Sequence, residues 1–189
     1  MNIAEKKRIN SILFFASKNP DKKIERLKLM KLLWLSDRVH LNKYGRTILD
    51  DTYYAIKCGP ILSNTMDLSN KSITGIIDIE GFIIEAQKEP DLSFFSNSDL
   101  DVMNLIWSNF GNLEPSKLVQ YSHKFPEWKR FGEDLKKGPV KRFKIIMEDF
   151  FEAPKDHQFK SLVTLSKDST DIIKNEYRNS NALVAWLNS

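Results

Sequence analysis

Asp37 and His40 stand three residues apart in the segment Ser36-Asp37-Arg38-Val39-His40, just after an apolar helical run. That spacing puts both side chains on one helix face. A carboxylate and an imidazole so placed suit acid–base work, or supply two ligands to a metal ion. Zinc asks for three or four ligands. The other histidines, His123 and His157, are distant in sequence, so a third ligand would have to come from Asp50 or Asp51. Two plainer roles stand beside the chemical one. Asp37 and Arg38 can close a polar network at the end of a buried helix. With Tyr44-Gly45, the same residues can form a face for a partner; the residues alone leave these two open. Cys58 has no base beside it and reads as a buried, inert thiol. His123 precedes Pro126-Glu127-Trp128 near a helix end, where a protonated histidine is favoured for structural reasons. Trp128 suits the core, and tryptophan also suits a binding hot spot.

Nothing else in the chain offers a reaction. There is no glycine-rich phosphate loop, no metal-ligand spacing and no nucleophile motif, so the expectation is a protein that is not an enzyme and needs no cofactor. A single cysteine excludes an internal disulfide and a multi-cysteine zinc site, and suits a reducing compartment. No apolar run approaches the roughly 20 residues of a membrane span, and the N-terminus lacks the apolar stretch of a signal peptide. A cytoplasmic protein that does not meet the membrane is expected. Net charge is +4, with 29 basic and 25 acidic residues interspersed. The basic runs (Lys6-Lys7-Arg8, Lys22-Lys23, Arg26 with Lys28 and Lys31, Lys136-Lys137, Lys141-Arg142 with Lys144) read for the most part as solvated helix faces, so nucleic-acid binding is a minority reading.

These residues need elements to hold them. Ile9, Ile12, Leu13 and Ala16 predict a first helix over 3–17, stopped by Asn19-Pro20. Leu27, Leu29, Met30 and the run Leu32-Leu33-Trp34-Leu35 cover most of the circumference of a second helix over about 24–42. A helix apolar nearly all round is buried, so it takes the centre of the domain. Gly45 suits a left-handed cap beyond it. Thr52–Lys57 predicts a strand that Pro60 ends, and 63–69 a short helix. Alternation about Gly81 predicts a hairpin within 74–87. Ser96-Asn97-Ser98-Asp99 is a capping box opening a helix that Gly111 stops. Pro115 begins another, to about His123. A last helix of the body is expected over 141–152, burying Phe143, Ile146, Met147 and Phe150, with Glu148, Asp149 and Glu152 outward. Residues 155–189 change to a polar tail with a closing apolar group that includes Val184, Trp186 and Leu187, which dock on the domain or on a second copy. The fold class is mostly α (α+β): one helical domain over 1–154 around a buried central helix, with a small antiparallel hairpin or sheet, and a C-terminal extension over 155–189, partly helical or flexible.

Three ordered blocks resemble one family. Lys28 through Gly45 is similar to its Lys-Leu-x-Lys-Leu-Leu-aromatic-Leu helix ending in Tyr-Gly. Asp51, Tyr53, Ala55, Gly59 and Pro60 are similar to its strand and Gly-Pro turn. Leu118, Ser122, His123, Pro126 and Trp128 are similar to its third segment, and Glu148–Glu152 to its last helix. The family is the SocA-like Panacea domain, and the resemblance covers about residues 5–153. It implies a bacterial antitoxin that neutralises a cognate protein toxin by direct binding in a type II-like toxin–antitoxin pair. It also leaves room for a proteolytic adaptor delivering a toxin to a cytoplasmic AAA+ protease, or for a regulatory protein of a phage or mobile element that binds nucleic acid. The candidate partner face comprises Asp37, Arg38, His40, Tyr44, Lys57, Gly59, Pro60, His123 and Trp128.

Overall fold

A computed structural model describes residues 1–154 and 167–187. The chain is mostly helical with two small antiparallel sheets, the α+β class expected. Helix α1 (Ile3–Ala16) starts from a capping box of Asn2 and Glu5. A short strand β1 (Lys23–Glu25) leads into α2 (Arg26–Tyr44), which Gly45 closes in the left-handed conformation, φ 72°. Leu29, Met30, Leu32, Leu33, Trp34, Leu35, Val39 and Leu41 of α2 are all buried. Their all-round apolar pattern therefore does place this helix at the centre, against α1, α4, α5 and β3.

Strands β2 (Tyr53–Ile56) and β3 (Gly59–Leu62) form a hairpin, followed by α3 (Ser63–Leu68). Pro60 thus lies inside a strand, where the sequence suggested that it ends one. Ser63 N–H bonds the Thr52 carbonyl at 2.8 Å, so the paired ladder positions of β3 are 59, 61 and 63. Pro60 falls between them, on an edge strand, where a missing N–H costs the ladder nothing. Strands β4 (Ile77–Glu80) and β5 (Ile83–Ala86) form the expected hairpin about Gly81, and β1 joins it to give the order β1-β5-β4.

Helix α4 (Asn97–Phe110) opens on the expected capping box of Ser96 and Asp99. It is followed by α5 (Pro115–Ser122), α6 (Pro126–Lys129) and α7 (Gly132–Lys137). The helix expected over 141–152 is not formed. Residues Arg142–Lys144 make a strand, β6, on the free side of β2, and Met147–Phe151 make a 3-10 turn. Tertiary pairing wins here: Phe143 stacks on Phe131, ring centroids 4.9 Å apart, and Phe150 packs edge-on against Tyr53. Ile146 is exposed, and Asp149 is buried rather than outward. Helix α8 (Lys167–Leu187) lies against α2 and the 3-10 turn through Ile173 and Tyr177. At its far end Trp186 is 72% exposed and Leu187 66% exposed. Residues 155–166, including His157, and the side chain of Val184 lie outside the described residues.

Candidate functional site

Because α2 is surrounded, Lys31, Asp37, Arg38 and His40 are interior groups, and each has a partner outside the helix. Asp37 accepts hydrogen bonds from the Ile48 and Leu49 amides at 2.7 and 3.0 Å, and from the Tyr53 hydroxyl at 2.8 Å. Burial raises its pKa to about 7 against the pull of those three donors. The loop it holds contains Asp50 with φ 47°, whose carbonyl takes a bond from Arg8 at 2.7 Å. Arg38 donates to Glu127 at 2.9 Å and to the Glu152 carbonyl at 2.6 Å, with its guanidinium over the Phe125 ring. Burial pushes the Glu127 carboxyl up, and the Arg38 charge opposes it. His40 places Nδ1 on the Arg46 carbonyl at 2.8 Å. A carbonyl only accepts, so Nδ1 carries a proton, and Nε2 lies between the Ser98 hydroxyl at 3.2 Å and Asp99 Oδ1 at 3.1 Å. Burial lowers the His40 pKa. Next to it, Asp99 gathers Lys7 and Arg46, each at 2.8 Å.

A second cluster lies on the preceding half of α2. Lys31 is fully buried and donates to the Pro60 carbonyl at 2.7 Å. Desolvation lowers its pKa to about 7. Gly59 has φ 96°, and a side chain there would run into Ser122 Oγ and would come within 2.9 Å of Lys31 Nζ. His123 stacks on Trp128, centroids 3.6 Å apart, and Trp128 donates its indole N–H to the Ile56 carbonyl at 2.8 Å. Burial, and then the Lys31 charge, lower the His123 pKa.

Of the nine residues expected on a partner face, Asp37, Arg38, His40, Gly59, Pro60 and Trp128 are buried. Their polarity serves the interior, so the scaffold role of the Asp37–Arg38 network is the one the packing supports, and the core role holds for Trp128. His123 is half-buried, while Tyr44, 49% exposed, and Lys57 are at the surface. Cys58 is exposed, contrary to the buried thiol expected, because it sits at the tip of the β2–β3 turn. Asp37 and His40 each face partners of their own, the Ile48 and Leu49 amides and Tyr53 for the one, the Arg46 carbonyl and Ser98 for the other. Asp51, offered as a third ligand, instead caps the start of α3 by accepting from the Asn64 and Thr65 amides at 2.8 and 2.9 Å. No three histidine, cysteine, aspartate or glutamate side chains gather as a metal site among the described residues.

Sequence reasoning gave Lys31 and Asp149 to solvated helix faces and Glu127 no role, and all three are buried. Lys31 carried a signal: a lysine within a run apolar on every side has nowhere to go but inward. Glu127 carried none, since its partner is 89 residues away. Above the Asp37-held loop lies an open cleft of about 750 Å³, walled by Ile3, Lys7, Thr47, Asp50, Met147 and Tyr177. Beside the β2–β3 turn lies a second, of about 520 Å³.

A family model described as antitoxin SocA-like, Panacea domain, matches residues 29–129, just over half of the chain, from the start of the buried helix to the end of α6. No curated protein and no solved structure matches the chain.

Proposed function

The chain belongs to the antitoxin SocA-like, Panacea domain family, and from that membership we propose that it neutralises a cognate protein toxin by direct binding, without chemistry of its own. The observation that carries this reading is the family match over the central helix and its supports. The site geometry agrees with it. Asp37, Arg38, His40 and Lys31, the residues best suited to chemistry, are spent on holding loops and strands in place. What remains for function is a rigid body with shaped, charged surfaces, which suits occlusion of a partner. Protection then depends on how slowly the complex dissociates.

The test is growth rescue. The open reading frame neighbouring this gene is expressed in a bacterium with and without the protein. Growth is expected to stop with the neighbour alone and to resume with both, and the two proteins are expected to copurify with the toxin's half-life unchanged. A neighbour that is harmless, or that remains toxic when both are present, overturns the reading.

A further inference from the structure

The strand that replaced an expected helix leaves an open sheet edge. Strand β6 is at the border of the order β3-β2-β6. The Ile145 amide bonds the Tyr53 carbonyl at 2.9 Å. By antiparallel alternation, the backbone N–H and C=O groups of Arg142 and Lys144 therefore point away from β2. An edge with unpaired groups is a template for a further strand. Next to it, Ile56, Leu135, Pro139 and Val140 line the cleft of about 520 Å³, with Lys57 and Lys141 at its rim. Val140 is 47% exposed there.

The charge of this edge says what would occupy it. Residues 136–144 hold five cations and no acid. Lys136 and Lys137 share Glu133 at 3.2 and 3.1 Å. Lys141, Arg142, Lys144 and Lys57 have no ion-pair partner among the described residues; Arg142 lies over the Tyr54 ring. Phe143 faces inward onto Phe131, so Arg142 and Lys144 share the outer face with Tyr54. A second copy of this strand would bring like charges into register and is disfavoured. A strand with acidic residues two apart would set each beside Arg142 or Lys144.

We propose that β6 and the adjoining cleft bind an extended acidic segment of a partner protein by strand addition, with one apolar side chain of that segment seated between Ile56 and Val140. The proposal rests on the reading that this domain binds a protein, and it names the chemistry of the segment bound. A nucleic acid would use the cations but neither the open backbone edge nor the apolar cleft.

The probe is a fluorescein-labelled six-residue peptide, Glu-Thr-Glu-Thr-Val-Thr, which as a strand antiparallel to β6 puts two glutamates and one valine on the face of Lys144, Arg142 and Val140; it is added to the full chain and followed by anisotropy. Saturable binding is expected, at least about tenfold weaker in the double variant Arg142→Glu with Lys144→Glu. Lys144→Pro, which deletes an outward N–H and leaves the β2 ladder intact, is expected to weaken binding well beyond Lys144→Ala. Methylating the peptide's amides on one edge should abolish binding to the unaltered protein, which decides the matter even where a variant fails to fold. Binding that survives methylation, or single-stranded DNA binding where the peptide does not, overturns the proposal. In the growth assay, rescue by a folded Arg142→Glu, Lys144→Glu variant removes this surface and leaves the antitoxin reading standing. Failure of the unaltered protein to rescue does the reverse, since the peptide result is independent of it.

Discussion

Two side chains, Asp37 and Lys31, make stability depend on pH in opposite directions. Asp37 keeps its proton to about pH 7 in the folded chain but only to about 3.8 as a free carboxyl. The folded state binds the extra proton in that window, so this group's contribution falls as pH rises from about 4 to 7, by at most about 1.4 kcal/mol per pH unit. Lys31 is the mirror case. It loses its proton near pH 7 when folded and near 10.5 when free, so its contribution grows as pH rises between those values. His40 and His123, with lowered pKa, oppose Asp37 below their free value of 6.5. The measurement is therefore a difference in urea midpoint between parent and variant at each pH. Asp37→Asn is expected to remove the falling component below pH 7, and Lys31→Met the rising one above it. Asp37→Ala should destabilise at every pH, by about 2–4 kcal/mol, because the Ile48 and Leu49 amides are orphaned. Arg38→Ala leaves Glu127 charged, buried and unpaired, and should cost about 3–5 kcal/mol. Arg38→Met combined with Glu127→Gln should recover much of it; equal loss in single and double variants would mean that the pair is not coupled.

At the scale of elements, the turn end of the β2–β3 hairpin comes close to the central helix at one glycine. Gly59 allows Lys31 Nζ to reach the Pro60 carbonyl and lets Ser122 close the other side. Gly59→Ala is expected to lower stability by at least about 2 kcal/mol, from the positive φ and the collision together, read as a fall in melting temperature. An unchanged melting temperature would mean that the hairpin moves freely over α2. The elements legible in the sequence were those whose pattern is local. The period of α1, the capping box at Ser96 and Asp99, the Gly45 cap and the turn at Gly81 each follow from neighbouring residues. Strands β1 and β6 were not legible, because three residues carry no periodicity and each exists only through a partner far along the chain. Of the candidate site, the clustering of Asp37, Arg38 and His40 at one helix half was visible. Their burial was not, since it depends on Tyr53, Glu127 and the Arg46 loop closing over them.

At the scale of the whole molecule, the buried apolar side chains form one contiguous cluster, with α8 laid against it. Tyr177 meets Phe151 at 5.6 Å between rings, and Ile173 lies against Gly45. These contacts are few, so α8 should open at lower free energy than α2. Tyr177→Ala is expected to speed amide exchange across 167–187 several-fold and leave α2 unchanged. Equal acceleration in both would make α8 part of the core's folding unit. Both sheets, by contrast, tie distant parts of the chain together: residues 23–25 with 83–85, and 54–56 with 142–144. That long-range wiring has a consequence for synthesis. On the ribosome, β2 waits for β6, about 90 residues later, before it has both neighbours. Helix α2 meanwhile carries its apolar surface without the elements that cover it. The protein is thus ready to meet a partner only when nearly all of its body has left the exit tunnel, and it folds more slowly than its helical content suggests.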